Sequence, residues 1–393
     1  MSGRLHRIYS GETNIDFLGK RRIWFAISGV FILASLLLLP FRPATTSCSP
    51  PLPGFFEGLN CGIEFKGGVS MRSDVPDDGP LGDLDDIEVI SEVREVAAGV
   101  GAEDARVQVS EEEGERRVIV QTGELATPEA QDELVDAVQN ATGAQDVDDV
   151  ERISSTWGGE ITGKAIRALL FFVVLVFVFL SLRFEWKMAV AAVIALVHDL
   201  IITIGVYAAI GFVVTPSTVI ALLTILGYSL YDTVVVFDKV EEDTDALATT
   251  GRMTYQGAAN QAMNEVFMRS LNTSLATILP VGALLFVGAG LLGATTMKDL
   301  ALALFIGLLM GAYSSIYVAT PILAMLKERE PKFKSVRERV ERDTARAAAR
   351  EVAEPEAQPS TRTPATVTAT PSPSRPATRA RAGSKKAKRR KRR

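Results

Sequence analysis

The sequence predicts a polytopic α-helical membrane protein with six transmembrane helices and an α+β, ferredoxin-like external domain between helices one and two. Three observations predict this class. Six apolar runs are long enough to cross hydrocarbon. Lys and Arg are concentrated in alternate flanks of those runs. A long polar stretch between the first two runs carries strand-like and helix-like patterns in turn.

The apolar runs set the predicted spans, because a helix needs about 20 such residues to cross the hydrocarbon layer. They are Ile23–Leu39, Ile166–Leu182, Met188–Ile210, Val213–Phe237, Leu271–Leu292 and Leu300–Leu326. No A-x-A cleavage site follows the first run, which favours a span over a signal peptide. The second run is short and begins beside Lys164 and Arg167, so its boundary on that side stays open.

Positive charges predict the orientation. They cluster before the first span, in the turn Arg183–Lys187 and after Met325, whereas the connections at 211–217 and 293–298 carry only Lys298. The protein is therefore predicted to lie in the cell membrane with both termini in the cytoplasm. The predicted organisation is a cytoplasmic N-terminus at 1–22, helix one at 23–41, the external domain at 42–160, helices two to six at 161–326 and a cytoplasmic tail at 327–393.

The external segment contains the signals of a small α+β domain. GIEFKGGVSMR and ERRVIVQTG are typical of strands, and DLDDIEVISEVREVAAG and TPEAQDELVDAVQNATG carry apolar residues at helical spacing after Asp and Thr-Pro start signals. Short apolar runs at 105–109 and 147–155 complete the order β-α-β-β-α-β. That order is typical of the split βαβ, ferredoxin-like arrangement.

The two cysteines of the chain, Cys48 and Cys61, flank the loop SPPLPGFFEGLN near the start of this segment. In an oxidising compartment a disulfide closing that loop is the favoured interpretation, and two unrelated thiols are the alternative. No metal-ligand spacing involves them.

The C-terminal tail changes character along its length. The alanine-rich, charged stretch 328–354 predicts a solvated helix that continues from the last span, and the Pro/Thr/Ala/Ser-rich stretch 355–383 has too few apolar residues to fold. The terminal KKAKRRKRR favours contact with anionic lipid or no specific partner, with ribosomal RNA as the alternative and no role with DNA.

Within GYSLYDTVVVFDKV of the fourth span, Asp232 lies about 9 Å deeper than Asp238, at 1.5 Å per residue. Asp238 is easily explained as a boundary residue, although it stays among the candidates for proton coupling with Asp232, Arg269, His198 and Asp199. Asp232 is not explained in that way, since a central Asp costs about 2.5 to 3.5 kcal/mol on insertion scales and such residues tend to mark ion or proton pathways. We interpret Asp232 as a residue that exchanges protons.

Other polar residues predict a seam inside the bundle. His198 and Asp199 lie about 15 Å into the third span, and Arg269 stands at the inner start of the fifth. The seam would be completed by Tyr228, Ser229, Thr233, Asn272, Thr273 and Thr277. For the Ser, Thr and Asn residues, helix–helix hydrogen bonding worth roughly 0.6 to 2 kcal/mol is the favoured alternative. A guanidinium favours an ionised carboxylate, so movement of Arg269 relative to Asp232 would load and unload a proton.

The sequence is a poor candidate for an enzyme. It has no phosphate-binding glycine loop, nucleophile elbow or zinc-like cluster, and its histidines are His6 and His198. No cofactor or metal is therefore expected, and the energy would come from a proton gradient or from ATP hydrolysed by a partner.

Three segments together closely resemble the SecF branch of the SecD/SecF family of protein-export membrane proteins. They are VHDLIITIGVYAAIGF, GYSLYDTVVVFDKVEE and RSLNTSLATILPVGALLFVGAG. GIEFKGG, with Phe65, Gly67 and Gly68, resembles the family's motif after the first span. The resemblance covers about Ile15–Leu326. The chain departs from the family at Tyr231, where Asn is usual, and at 238–243, where D-R-[IV]-R-E-N is common.

The resemblance implies a subunit that works with SecD beside the SecYEG channel, with YajC as a further partner. The subunit would act on the polypeptide after the SecA motor has acted. Such a pair, similar to the resistance-nodulation-division exporters, would use the proton gradient to pull polypeptides outward. The family's important acid and arginine match Asp232 and Arg269.

Two alternatives remain. A proton-coupled exporter of small molecules or lipids from the related superfamily would share the intramembrane acids, but would usually need twice the spans in one chain. A structural scaffold would need no buried charge.

Overall fold

The structure is a computed structural model that describes residues 15–41, 48, 56–112, 115–125, 127–145, 147–245, 247, 251, 253–289 and 298–353. The chain divides into two units, Met1–Asp343 and Thr344–Arg393. Of the second unit, the described part is the end of the helix Pro331–Ala353. The Pro-rich stretch, the basic cluster and most of the Cys48–Cys61 loop lie outside the described residues.

Six helices of the described part are long and apolar enough to cross a membrane, which confirms the mostly helical, six-span architecture. We number them span one to span six. They are Arg21–Phe41, Ser155–Arg183, Trp186–Ile210, Pro216–Asp245, Tyr255–Gly288 and Lys298–Glu328. The buried core of the bundle lies between spans three, four and six and the first turns of span five, whereas spans one and two and the apolar part of span five are largely exposed.

The helices that contain spans two and five begin well before the apolar runs that start at Ile166 and Leu271. Span two starts at Ser155, where the Ser154 hydroxyl caps the helix by accepting from the Trp157 N–H. Span five starts at Tyr255 behind a Thr254 cap. The first turns of span five bury Tyr255, Ala258 and Ala259 against protein, whereas the first turns of span two are largely exposed. Neither segment is a continuous apolar run, so hydropathy does not detect it.

Span four begins at Pro216 instead of the predicted Val213, because Val213 and Val214 form a short strand, β6. This strand pairs in parallel with β1, Asn60–Cys61, just after span one. The Asn60 side-chain amide also donates to the Gly211 carbonyl at 2.8 Å.

Cys48 and Cys61 form a disulfide in the structure, and the Cys48 N–H donates to the Leu59 carbonyl.

Spans five and six each contain a π-helical segment. In span five it is Leu284–Ala289, after Pro280, and in span six it is Ser315–Ala319, just before Pro321. Proline has no N–H to continue the helix, so the ladder must be rearranged around it. The Thr320 hydroxyl donates to the Ser315 carbonyl and satisfies one group in this rearranged turn.

Between spans one and two lies an α+β domain with a four-stranded antiparallel sheet in the order β3-β4-β2-β5. The strands are β2 Gly68–Asp74, β3 Arg106–Glu112, β4 Glu115–Thr122 and β5 Val147–Ile153. Helices Asp86–Gly99 and Pro128–Thr142 bury Val89, Val93, Leu134 and Val138 in one core with the sheet. An Asp85–Glu88 capping box and a Thr127 cap start them where the sequence signals predict.

The motif GIEFKGG was predicted as strand, and this is wrong for its first half. Ile63–Lys66 form one helical turn, and β2 begins at Gly68. Gly67 has φ +87° and Gly68 has φ +149°, and a Cβ on Gly68 would lie 2.1 Å from the Thr122 carbonyl oxygen. The two glycines therefore make the sharp entry into the sheet possible. Phe65 is buried at the base of the domain, against the bundle.

The segment before span one lies along span five. Backbone N–H groups of Ile15 and Phe17 each donate at 2.8 Å to side-chain oxygens, those of Asn264 and Asn260. Phe17 is fully buried beside Phe267.

The helix after span six was predicted to be continuous with that span. It is interrupted at 329–330, and a new helix starts at Pro331.

Candidate functional site

Asp232 lies on span four inside the bundle, with 8% of its surface exposed. The Ser270 hydroxyl of span five is 2.6 Å from both carboxylate oxygens. The Ser315 hydroxyl of span six donates to Oδ2 at 2.5 Å. A carboxylate in a low-dielectric interior needs such donors, since leaving it bare carries a large desolvation penalty.

Asp199 on span three is a second, fully buried carboxylate. Its Oδ2 accepts from the Ser229 hydroxyl at 2.6 Å and from the Ser314 hydroxyl at 2.7 Å. Its Oδ1 is 3.0 Å from Nδ1 of His198. The other ring nitrogen of His198, Nε2, is buried and has no hydrogen-bond partner among the residues the structure describes. Spans three, four and six thus converge on this acid.

Ser314 and Ser315 are the residues at the junction of the α-helical and π-helical parts of span six. This junction lies close to span four because the glycines of span six leave room for it. A Cβ on Gly311 would lie 3.1 Å from Cβ of Ser229, and one on Gly307 would lie 2.3 Å from the Ile225 side chain. Small residues of this kind allow membrane helices to approach closely.

The predicted seam is only partly as expected. Ser229 is buried but donates to Asp199, not to its helix neighbour Asp232. Thr273 and Thr277 donate to carbonyls of their own helix, and Asn272 is exposed. Thr233 is buried and Tyr228 is about half exposed.

A cavity of about 30 Å³ adjoins Asp232. Its walls include Tyr228, Thr273 and Thr277 of the predicted seam. That volume is on the order of one water molecule. The seam residues therefore surround the acid without forming hydrogen bonds to its carboxylate.

Arg269 is exposed and forms no ion pair with any described residue. It directly precedes Ser270, which contacts Asp232. Asp238 is exposed and lies 3.2 Å from Arg183, as a boundary residue would. Such a surface pair contributes little to stability.

Sequence reasoning missed Ser270, Ser314 and Ser315. A serine in an apolar helix usually bonds to its own helix backbone or glues helices together, so the residue type carries no functional signal. The one available signal was the tandem pair in AYSSIYVATP, which stands six and seven residues before Pro321. Which way each hydroxyl points depends on the π-helical turn, which the sequence does not reveal.

Aromatic side chains cover His198 on the side of span one. The Tyr313 ring stacks on the imidazole with centroids 6.1 Å apart. Its hydroxyl donates to the Trp24 carbonyl and lies 3.2 Å from the Ser28 hydroxyl. Tyr317 packs against both Tyr313 and Trp24. The rings keep the imidazole away from lipid and from span one's exposed face.

The chain was compared with known proteins. A family model described as protein export membrane protein SecD/SecF, C-terminal, matches residues 133–329. A protein translocase subunit SecF from Streptomyces coelicolor is 39% identical over 344 residues, which cover 88% of this chain and 85% of that protein. One from Mycobacterium tuberculosis is 40% identical over 334 residues, 83% of this chain and 70% of that protein.

Two solved structures are similar. A crystal structure of SecDF, a translocon-associated membrane protein from Thermus thermophilus, matches with a TM-score of 0.66 and 28% identity over 81% of this chain and 39% of that one. SecDF in a super-membrane-facing form matches with a TM-score of 0.56 and 26% identity, over 86% and 40%. This chain spans about two fifths of each solved chain. The spans, the buried acids and the match over half of its length lead to one conclusion: the chain belongs to the SecD/SecF family of protein export membrane proteins.

Proposed function

We propose that this chain is the SecF-type subunit of an accessory complex of the Sec protein translocase, and that the complex uses the proton gradient to promote late steps of polypeptide export. Relatives named protein translocase subunit SecF match most of its length. The observation that carries the energy-coupling part is the environment of Asp232, a buried carboxylate held by hydroxyls from two other spans.

Hydroxyl ligands suit a group that changes its protonation state. A serine both donates and accepts, and its proton rotates, so Ser270 and Ser315 can satisfy either the ionised or the protonated carboxyl. A fixed cation would favour the ionised form alone. Among the described residues no cation contacts Asp232. Charge at this position is therefore most readily balanced by a proton.

Arg269 is placed to alternate with that proton. Its neighbour Ser270 already contacts Asp232, so a modest movement of span five would bring the guanidinium to the carboxylate and displace the proton. His198 and Asp199 form a second candidate proton site, in which the unpartnered Nε2 is the group able to accept.

The same proposal includes the placement of the chain. The domain between spans one and two is inferred to be ferredoxin-like and external, supported by the order of its elements and the sheet order β3-β4-β2-β5. Lys187 and Lys327 pair with Glu330 and Glu185 at the opposite end of the bundle, where the positive-inside rule places the cytoplasm. The protein would then lie in the cytoplasmic membrane with both termini in the cytoplasm.

SecD is the inferred partner, because solved chains named SecDF are about two and a half times as long as the part this chain matches. The SecYEG channel, SecA, YajC and the translocating polypeptide are further proposed partners. Anionic lipid or the ribosome is proposed for the basic tail. We infer no enzymatic activity and no cofactor, with the proton gradient as the energy source.

The test is Asp232→Asn, which is nearly isosteric and unable to ionise. We expect normal insertion and complex formation, but loss of the gradient-dependent stimulation of export in membrane vesicles. The matched control is Asp238→Asn, on the same helix but exposed and paired with Arg183, which should retain stimulation. Full stimulation with Asp232→Asn would reject proton exchange at this residue.

A further inference from the structure

A second cavity, of about 410 Å³, lies between the bundle and the base of the α+β domain. Spans two, three and four form its walls, and the segment after span one forms its roof. The wall includes Leu169, Ile204 and Leu222, and the roof includes Leu59 and Phe65. Its volume is in the range of small-molecule sites, about 300 to 1,000 Å³.

The described residues that line the cavity offer no free hydroxyl to a ligand. Four lining residues carry hydroxyls, and each hydroxyl is bonded within the protein. Thr162 and Thr203 donate to the Gly158 and Asp199 carbonyls, Tyr207 donates to the Asp299 carbonyl, and Thr218 bonds with Thr215. An apolar cavity without polar partners stays dry and takes hydrocarbon.

The cavity is continuous with the lipid-facing surface of span two. Ile166 lines it and is itself 43% exposed, and Leu170, one turn further along that face, is more exposed still. Arg167 stands where the uninterrupted apolar stretch of span two begins, at the level expected for lipid headgroups. The neighbouring Lys164 is paired with Glu160. Arg167 is exposed, donates one N–H to the Gly163 carbonyl, and its charge complements a phosphate.

A membrane offers two apolar occupants for such a cavity, a lipid tail and a helix of a partner. An α-helix with side chains is about 10 Å across, so it is much the wider of the two. A single hydrocarbon chain is narrow enough to enter beside Ile166.

We propose that this cavity binds one acyl chain of a bilayer phospholipid, drawn from the leaflet on the side of the α+β domain, with its phosphate near Arg167. The chain would contact the roof and all three walls at once. A lipid would thereby become part of the interface between the α+β domain and the bundle. This proposal does not depend on the role of the buried acids.

The test uses the complex purified from membranes and returned to vesicles of phosphatidylethanolamine and phosphatidylglycerol. A trace of phosphatidylglycerol carries a diazirine in its acyl chain, and cross-linked peptides are identified by mass spectrometry. Ala165 lines the cavity, and Ala168, on the same helix, is exposed and does not line it. We expect Ala165→Phe to reduce labelling of the peptide containing Ile204 about fivefold, equivalent to about 1 kcal/mol, and Ala168→Phe to leave it unchanged.

Arg167→Gln should reduce labelling by the anionic probe more than by a phosphatidylethanolamine probe. Equal labelling in the two phenylalanine variants would overturn the proposal. So would labelling that appears only after the partner subunit is removed, which would assign the cavity to a partner helix. If Ala165→Phe lowers the melting temperature, Leu222→Phe fills the same space from span four and must give the same loss.

Discussion

Ser314 and Ser315 are adjacent in the chain, yet their hydroxyls donate to different buried carboxylates, Asp199 at 2.7 Å and Asp232 at 2.5 Å. One short segment of span six therefore supports both acids. Because it lies at an α-to-π junction, a change of helical register there would move both hydroxyls together.

Ser315→Ala is expected to reduce, but not abolish, gradient-dependent export. Asp232 loses one of its two hydroxyl donors and keeps Ser270. A hydrogen bond to a charged group is worth about 1.5 to 3 kcal/mol, so the balance between protonation states should change measurably. Export into vesicles with and without a gradient checks this. Thr224→Val is the control, since that hydroxyl bonds only to its own helix at Ile220; equal effects would remove any special role for Ser315.

Arg269→Lys should give an intermediate defect in the same assay. The positive charge is kept, but the planar fork that can grip both oxygens of Asp232 is lost. Arg183→Lys, at an exposed boundary pair, is the control and should behave like the unmodified chain. An Arg269→Lys variant with full activity would show that bidentate contact with Asp232 is not needed.

Gly205→Ala should destabilise the bundle. A Cβ there would lie 1.9 Å from the Ser35 hydroxyl oxygen of span one, so the two helices would have to separate. Overpacking of this kind costs about 1 to 3 kcal/mol. Gly227→Ala is the matched control, because nothing lies within 4 Å of its Cβ position. Melting temperatures in detergent should fall only for the first variant.

Glu64→Gln should stabilise the α+β domain near neutral pH. Burial raises the pKa of the Glu64 carboxyl, and the nearby acids Glu151 and Asp299 raise it further. One carboxylate oxygen has no hydrogen-bond partner among the described residues. The folded chain thus binds this proton more tightly than the unfolded chain, whose Glu pKa is about 4.3.

The direction of the pH dependence of stability follows from the difference in proton binding between the folded and the unfolded chain. Stability contributed by the protonated Glu64 is fully present below about pH 4 and is lost as the pH rises through the folded-state pKa. Gln imitates the protonated form, so its advantage in melting temperature should be clear at about pH 7 and vanish at about pH 4. An exposed acid of the same domain, changed by Glu92→Gln, should show no such dependence. A difference independent of pH would assign the effect to packing.

Replacing Cys48 and Cys61 together with Ser should lower the stability of the region after span one. The bridge closes a loop across a sequence separation of 13. A loop of about that length is worth about 3 kcal/mol in the chain-entropy account. Melting of the oxidised and reduced chain checks this, with the double serine variant as the control that no longer responds to reductant.

The spans and the unusual acids were predictable because both signals are local. Hydropathy adds up along one run of residues, and an aspartate in such a run is conspicuous at any orientation. Both acids, Asp232 and Asp199, are buried inside the bundle.

What was missed depends on contacts distant in sequence. The start of span five at Tyr255 reflects packing of a polar-looking turn against protein, with Asn260 and Asn264 binding the segment before span one. The serine ligands depend on which face a π-helical turn presents, which no periodicity of 3.6 residues encodes.

The parallel pairing of β1 with β6, reinforced by Asn60 on Gly211, joins the base of the α+β domain to the hairpin between spans three and four. Those two spans bear Asp199 and Asp232. The main-chain hydrogen bonds form a short, stiff linkage. A displacement of the base of the domain would therefore reach first the two helices that carry the buried carboxylates.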